Sequence, residues 1–145
     1  MKIITTNKRA QFEYFILEKF QAGIALVGSE VKSIRNNSVS INESFVYFRD
    51  GEGYISNMYI KNYPYSNIDK LDERRSRKLL LNKRELDYLI GKAAQKGFTI
   101  VPTKLYFDRQ LVKVEIALCR GKQLHDKREA IKKRDMERDV MREIK

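Results

Sequence analysis

The chain has 145 residues, with 30 Lys and Arg against 19 Asp and Glu, a net charge of +11, one cysteine and one histidine. That length suits one domain burying about 68–70% of its unfolded surface without staples, and a lone Cys119 with a lone His125 excludes zinc sites, paired disulfides and Cys/His dyads made within one chain. The positive excess favours a polyanionic partner, nucleic acid ahead of an anionic membrane, and no apolar run is long enough for a signal peptide or a membrane span, so a cytoplasmic protein is expected.

In chain order, Phe12 to Phe20 is rich in aromatic and β-favouring residues, with Phe12, Tyr14 and Ile16 alternating against Glu13, Phe15 and Leu17. It predicts a first strand open to burial on both faces. Gly23 and Gly28 bracket a short apolar strand, Ile24 to Val27; Ser29 then offers an N-cap oxygen to a short helix, Glu30 to Arg35, that stops at Asn36-Asn37. Phe45 to Arg49 and Tyr54 to Ile60 flank Asp50-Gly51, a dipeptide that accepts the positive φ angles of a tight turn, and predict a β-hairpin.

Residues 61 to 77 lack a period, contain Pro64 and finish in Arg74-Arg75-Ser76-Arg77-Lys78, which predicts a mobile, positively charged loop. Asn82 to Glu85 fits a capping box with Asn in place of Ser or Thr, followed by Leu86, Leu89, Ile90 and Ala93 at helical spacing and a left-handed stop at Gly97. Phe98 to Phe107, broken or edged by Pro102, and Leu111 to Cys119 predict a second hairpin around Asp108-Arg109-Gln110. About six strands, two inserted helices and no regular βαβ alternation predict a mainly β fold with accessory helices: a small Greek-key barrel of the oligonucleotide-binding (OB) kind over residues 1–120.

Residues 121–145 are different in kind. Leu124, Ala130, Ile131, Met136, Val140, Met141 and Ile144 are scattered among charges and cannot form a core of their own. A pair such as Glu129 with Lys133 adds about 0.2–0.5 kcal/mol, whereas ordering backbone costs roughly 1–2 kcal/mol per residue. The tail is therefore expected to be disordered when free and to fold on an RNA surface, where Lys127, Arg128, Lys132, Lys133, Arg134, Arg138 and Arg142 can meet phosphates. The competing reading is a solvated helix packed on the barrel.

Five strings occur in order: Asn7-Lys8-Arg9-Ala10, Ala22-Gly23-Ile24, Gly28-Ser29-Glu30-Val31-Lys32-Ser33-Ile34-Arg35, Arg77-Lys78-Leu79-Leu80-Leu81 and Gly121-Lys122-Gln123-Leu124-His125-Asp126-Lys127-Arg128. With them the chain, from about Asn7 to its C-terminus, resembles the SsrA-binding protein family, also called small protein B. The resemblance implies an OB-like barrel that clasps the tRNA-like part of transfer-messenger RNA and carries it into stalled ribosomes for trans-translation. It implies RNA contacts at Asn7, Lys8, Arg9, Gln21, Leu80 and Lys113, with Gln21 standing where the family has Glu. It also implies a tail reaching the decoding centre and the vacant message channel of the small ribosomal subunit, with Gly121, Lys122, His125, Asp126, Lys127, Arg128, Ile131, Lys132, Lys133, Arg134 and Met136 as the residues concerned. The expected partners are transfer-messenger RNA and small-subunit ribosomal RNA, with elongation factor Tu and alanyl-tRNA synthetase reached through the RNA; the protein is expected to be a monomer without a cofactor.

Taken by chemistry alone, Lys8 and Lys113 suit phosphates, Asn7 suits an exposed base edge, and Leu80 could pack on an unstacked base, although an isolated Leu is more often core. His125 can stack on a base and hydrogen-bond, though a solitary His amid charges is more often a solvated surface residue. A metal-dependent RNA-cleaving enzyme would need paired carboxylates. Asp69, Asp72 and Glu73 form the densest acidic patch outside the tail, but nothing there fixes ligand directions, and neither a nucleophile–base pair nor a phosphate-binding glycine loop is present. No catalytic or metal-binding residue is expected. A ribosomal structural or assembly protein is the other alternative, since it shares the charge, the barrel and the tail.

Overall fold

The computed structural model describes residues 2–62 and 71–121. They form β1 (Lys2–Thr6), α1 (Lys8–Glu13), β2 (Tyr14–Ile24), α2 (Gly28–Arg35), β3 (Val39–Ser40), β4 (Phe45–Arg49), β5 (Glu52–Ser56), β6 (Tyr59–Ile60), β7 (Arg77–Leu80), α3 (Lys83–Ala93), β8 (Phe98–Asp108) and β9 (Leu111–Gly121). Seven strands make one antiparallel sheet in the order β1-β8-β9-β2-β7-β5-β4, while β3 and β6 pair with each other. The sheet curls until β4 comes against β8. Its inner face holds Ala22, Ile55, Leu79, Ile100, Leu105, Val114, Ile116 and Leu118, packed with Ile34 of α2 and Leu89 of α3. The fold is thus mainly β with accessory helices and an OB-like sheet. Nine strands are present among the described residues where the sequence predicts about six, and no ladder there joins the outer strands β1 and β4.

The second hairpin, α3 and the left-handed turns follow the sequence. Asp50 and Gly51 take φ of 54° and 78° between β4 and β5, and Arg109 takes 61° between β8 and β9. Asn82 accepts from the Glu85 amide at 2.9 Å at the start of α3, and Gly97 lies at φ 93° beyond its end.

Several boundaries move, each for a local reason. Phe12 belongs to α1, not to a first strand, because Asn7 caps a helical turn ahead of it. β2 begins at Tyr14 and runs without a break through Gly23 to Ile24, so Ile24 to Val27 is not a separate strand. A bulge between Ile16 and Glu18 re-aims its side chains, leaving Phe15 and Leu17 exposed instead of burying both faces. Glu30, not Ser29, closes the start of α2, accepting from the Val27 amide at 3.1 Å while Ser29 lies inside the helix.

β5 ends at Ser56, because Asn57 is left-handed at φ 63° and sends Tyr59–Ile60 to pair with Val39–Ser40. Arg77 and Lys78 are strand residues of β7 and not loop; Arg77 is drawn inside by the Glu30 carboxylate. The rest of that expected loop, residues 63–70 with Pro64 and Asp69, lies outside the described residues. Pro102 sits buried within β8, where a bulge before Lys104 already interrupts the ladder, so its missing N–H costs little.

Candidate nucleic-acid interface

Strand register decides which side chains share the outer face of the sheet, because directly paired residues point the same way. Leu80 of β7 pairs with Gly23 of β2, Gly23 with Lys113 of β9, and Lys113 with Tyr106 of β8. The next row runs Gln21, Glu115, Lys104. Gln21, Leu80 and Lys113, separated by up to 92 positions in the chain, therefore meet on one surface. Leu80 is 54% exposed, which removes it from the core and leaves its side chain facing solvent. Gly23 makes room for it: a β-carbon at that position would lie 3.3 Å from Leu80 Cβ. Gly23, Leu80, Gln110, Leu111 and Lys113 are among the residues that line an open groove of about 400 Å³.

Gln21 is held from both ends. The Tyr106 hydroxyl, reaching across β9, donates to Gln21 Oε1 at 2.6 Å, and Gln21 Nε2 donates to Glu115 Oε1 at 3.1 Å. The amide at this position can serve a phenol and a carboxylate at once, which a second carboxylate could not do without repulsion. Glu115 is buried but well satisfied: the Thr103 hydroxyl donates to its Oε2 at 2.6 Å, and Lys19 and Lys104 place their Nζ atoms 3.8 Å from its two oxygens. Burial alone would push its carboxyl up, but the Thr103 and Gln21 hydrogen bonds with the Lys104 and Lys19 charges bring it below the ordinary glutamate value.

The remaining expected contacts sit at α1. Asn7 is 4% exposed and fully engaged: its Oδ1 accepts from the Ala10 amide at 3.1 Å, its Nδ2 donates to the Pro102 carbonyl at 2.9 Å, and its own amide donates to the Thr103 carbonyl at 2.8 Å. Asn7 thus caps α1, which fixes the start of that helix and with it the exposed Lys8 and Arg9. Two cations in a first turn oppose the helix dipole, and only Arg9 is compensated locally, by Glu13 at 2.9 Å and Glu43 at 3.8 Å. On its inner side α1 lays Ala10 over Val101, Ala117 and Cys119. Burial there pushes the Cys119 thiol up to about 11.

Four residues of this face escape sequence reasoning: Lys19, Lys104, Tyr106 and Glu115. Their only signal is alternation, which shows that Lys113 and Glu115 share a face of β9 but not what lies opposite. Gly121 is the last residue of β9 and pairs with Tyr14. Lys122, His125, Asp126, Lys127, Arg128, Ile131, Lys132, Lys133, Arg134 and Met136 lie outside the described residues. In the acidic patch, Asp72 accepts from the Arg74 amide at 3.0 Å and Glu73 from the Asn62 amide at 2.8 Å, so both carboxylates shape the loop. Among the described residues no cluster of His, Cys, Asp or Glu could hold a metal ion, and no helix is long and apolar enough to cross a membrane.

Comparison with known proteins finds relatives along almost the whole chain. A family model described as SmpB protein matches residues 4–145. An SsrA-binding protein of Mycoplasma mycoides subsp. mycoides SC is 53% identical over 99% of this chain and 97% of its own length. One from Acholeplasma laidlawii is 52% identical over 100% and 97%. Among solved structures, a chain from "tmRNA-SmpB: a journey to the center of the bacterial ribosome" superposes with a TM-score of 0.70 at 48% identity, covering 88% of this chain and 93% of that one. With a family match over almost its whole length and relatives more than half identical, the chain belongs to the SmpB family of SsrA-binding proteins.

Proposed function

We propose that this protein binds the tRNA-like part of transfer-messenger RNA with the outer face of its sheet and delivers that RNA to stalled ribosomes, where trans-translation tags the nascent chain. The observation that carries the reading is near-full-length identity above 50% to SsrA-binding proteins. The convergence of Gln21, Leu80 and Lys113 on one exposed face, with Lys8 at its α1 end, supports it. Lys8, Arg9 and Lys113 meet phosphates, Leu80 packs on an unstacked base, and Gln21 presents an amide held by Tyr106 and Glu115.

The basic segment after β9 takes the place of an anticodon stem. Its cations, with His125 and Asp126, enter the decoding centre, and the residues from Ile131 through Met136 follow the empty message channel. Having no core of its own, it gains order from ribosomal RNA. The protein acts by binding alone, in the cytoplasm, as a monomer, and meets elongation factor Tu and alanyl-tRNA synthetase through the RNA.

Affinity capture of the full chain from cells, followed by sequencing of the bound RNA, tests this reading. Enrichment of one small stable RNA with substoichiometric ribosomes is expected. Constant stoichiometry with ribosomal subunits and no enriched small RNA would instead identify a ribosomal structural protein.

A further inference from the structure

The RNA contacts named so far fall into two groups with a gap between them: Lys8 and Arg9 on α1, and Gln21, Leu80 and Lys113 around the Gly23 row. Lys104 and Lys19 occupy that gap. Lys104 pairs with Thr6 of β1, two residues before Lys8, and with Glu115 of β9. Lys19 lies on β2 one outward position from Gln21. Their strands flank β9 on opposite sides, yet both ammonium groups converge on the one Glu115 carboxylate, Lys19 on Oε2 and Lys104 on Oε1.

Two features argue that this convergence is more than neutralisation of a buried acid. Glu115 already receives a short hydrogen bond from Thr103 at 2.6 Å and another from Gln21 at 3.1 Å, so each of its oxygens is served without the lysines. The lysine contacts, at 3.8 Å, are ion-pair distances longer than a hydrogen bond, and the side chains of Lys19 and Lys104 are 51% and 26% exposed. Each ammonium therefore keeps donors for an outside acceptor, while the carboxylate limits the wandering of two long side chains, which lowers the ordering cost of binding. Counting Lys113, three ammonium groups stand against one carboxylate on this stretch of the face.

We propose that Lys19 and Lys104 form an additional phosphate-binding pair, held ready by Glu115, that joins the α1 end of the face to Lys113 in one continuous path for a phosphodiester backbone. The inference rests on the proposed function, since it assumes that a folded RNA lies across this face. The chemistry is backbone contact without base selection.

The test compares the full-length protein with Lys19→Gln/Lys104→Gln and Lys19→Arg/Lys104→Arg variants, titrating the isolated tRNA-like RNA domain from 50 to 200 mM salt and checking folding by thermal melting. Each phosphate contact contributes a slope of about −0.9 to log affinity against log salt. Loss of two contacts makes the Gln variant's affinity fall by about tenfold less than that of the parent over this range, with a weaker affinity at 50 mM, and the Arg variant keeps the parental slope. A Gln variant with parental slope and affinity would overturn the inference and leave the functional reading standing. Failure of the parent itself to bind the RNA would overturn the functional reading.

Discussion

Arg77 grips Glu30 inside the protein, donating to Oε2 from Nη2 at 2.8 Å and from Nε at 3.0 Å, with both residues at most 5% exposed. Arg75 adds two bonds to the same carboxylate, and Arg77 Nη1 donates to the Met58 carbonyl at 2.6 Å. The cluster fastens α2 to β7, the strand that carries Leu80. Removing the acid strands the buried Arg77 guanidinium, so Glu30→Leu is expected to cost about 3–5 kcal/mol in urea unfolding, whereas Arg77→Met leaves Glu30 held by Arg75 and should cost less. The double change Glu30→Leu/Arg77→Met leaves no buried charge in this cluster and should cost less than Glu30→Leu alone. A double variant as unstable as the sum of the singles would contradict this account.

The same carboxylate sets an acid limit. Burial pushes Glu30 up, but hydrogen bonds from Arg75 and Arg77 outweigh it and hold the carboxyl below its ordinary value. A depressed folded-state pKa gives stability that is present above the unfolded value, about 4.3, and is lost as pH falls through the folded one. Melting temperatures of parent and Glu30→Gln should therefore differ most near neutral pH and converge below about pH 4. Because Glu115 is also depressed, Glu30→Gln will still lose stability in acid, but less steeply. A gap between the two proteins that does not change from pH 7 to 3 would count against the ion pair as its cause.

Asn7 and its neighbour Lys8 should separate cleanly. Asn7→Ala removes a cap and a buried bond to Pro102, costing about 1–2 kcal/mol. It also loosens α1 over Cys119. The expected signature is faster reaction of Cys119 with a thiol reagent in the folded protein. Lys8→Gln should leave both melting and Cys119 labelling unchanged while weakening RNA binding. Equal labelling in Asn7→Ala and the parent would show that α1 does not depend on its cap.

These contrasts show what the sequence could and could not disclose. Asp50-Gly51, Asn82 with Glu85, and Gly97 act through bonds within a few residues, so their turns and caps are legible locally. β2 was not, because its course is fixed by partners nearly a hundred residues away and by a bulge that alternation cannot reveal. Arg77 reads as part of a basic loop until Glu30, 47 positions earlier, is placed beside it. For the candidate interface, the resemblance supplies Gln21, Leu80 and Lys113 one by one; only register explains why they share one face and why Lys19, Lys104, Tyr106 and Glu115 lie beside them.

Gly23 tests that register directly. A side chain there meets Leu80 Cβ at 3.3 Å and Cδ1 at 3.4 Å, both on a side chain with solvent beside it. Gly23→Val should displace Leu80 rather than break the strand, lowering affinity for the tRNA-like domain severalfold with a melting shift of a few degrees at most. A large loss of stability with unchanged affinity per folded molecule would place the constraint in the strand instead.

The last expectation concerns two tasks in one chain. Capture of the RNA is assigned to the described face and ribosome engagement to the segment beyond Gly121, so charge reversal should act differently in each. Lys8→Glu with Lys113→Glu places two repulsive groups at opposite ends of the face and should weaken binding of transfer-messenger RNA in a filter assay at 100 mM salt. His125→Ala with Arg128→Ala should bind that RNA like the parent, yet fail to support tagging in a reconstituted translation reaction programmed with a message lacking a stop codon. Equal loss of capture in both variants would show that the basic segment helps grip the RNA, and the division between body and tail would have to be abandoned.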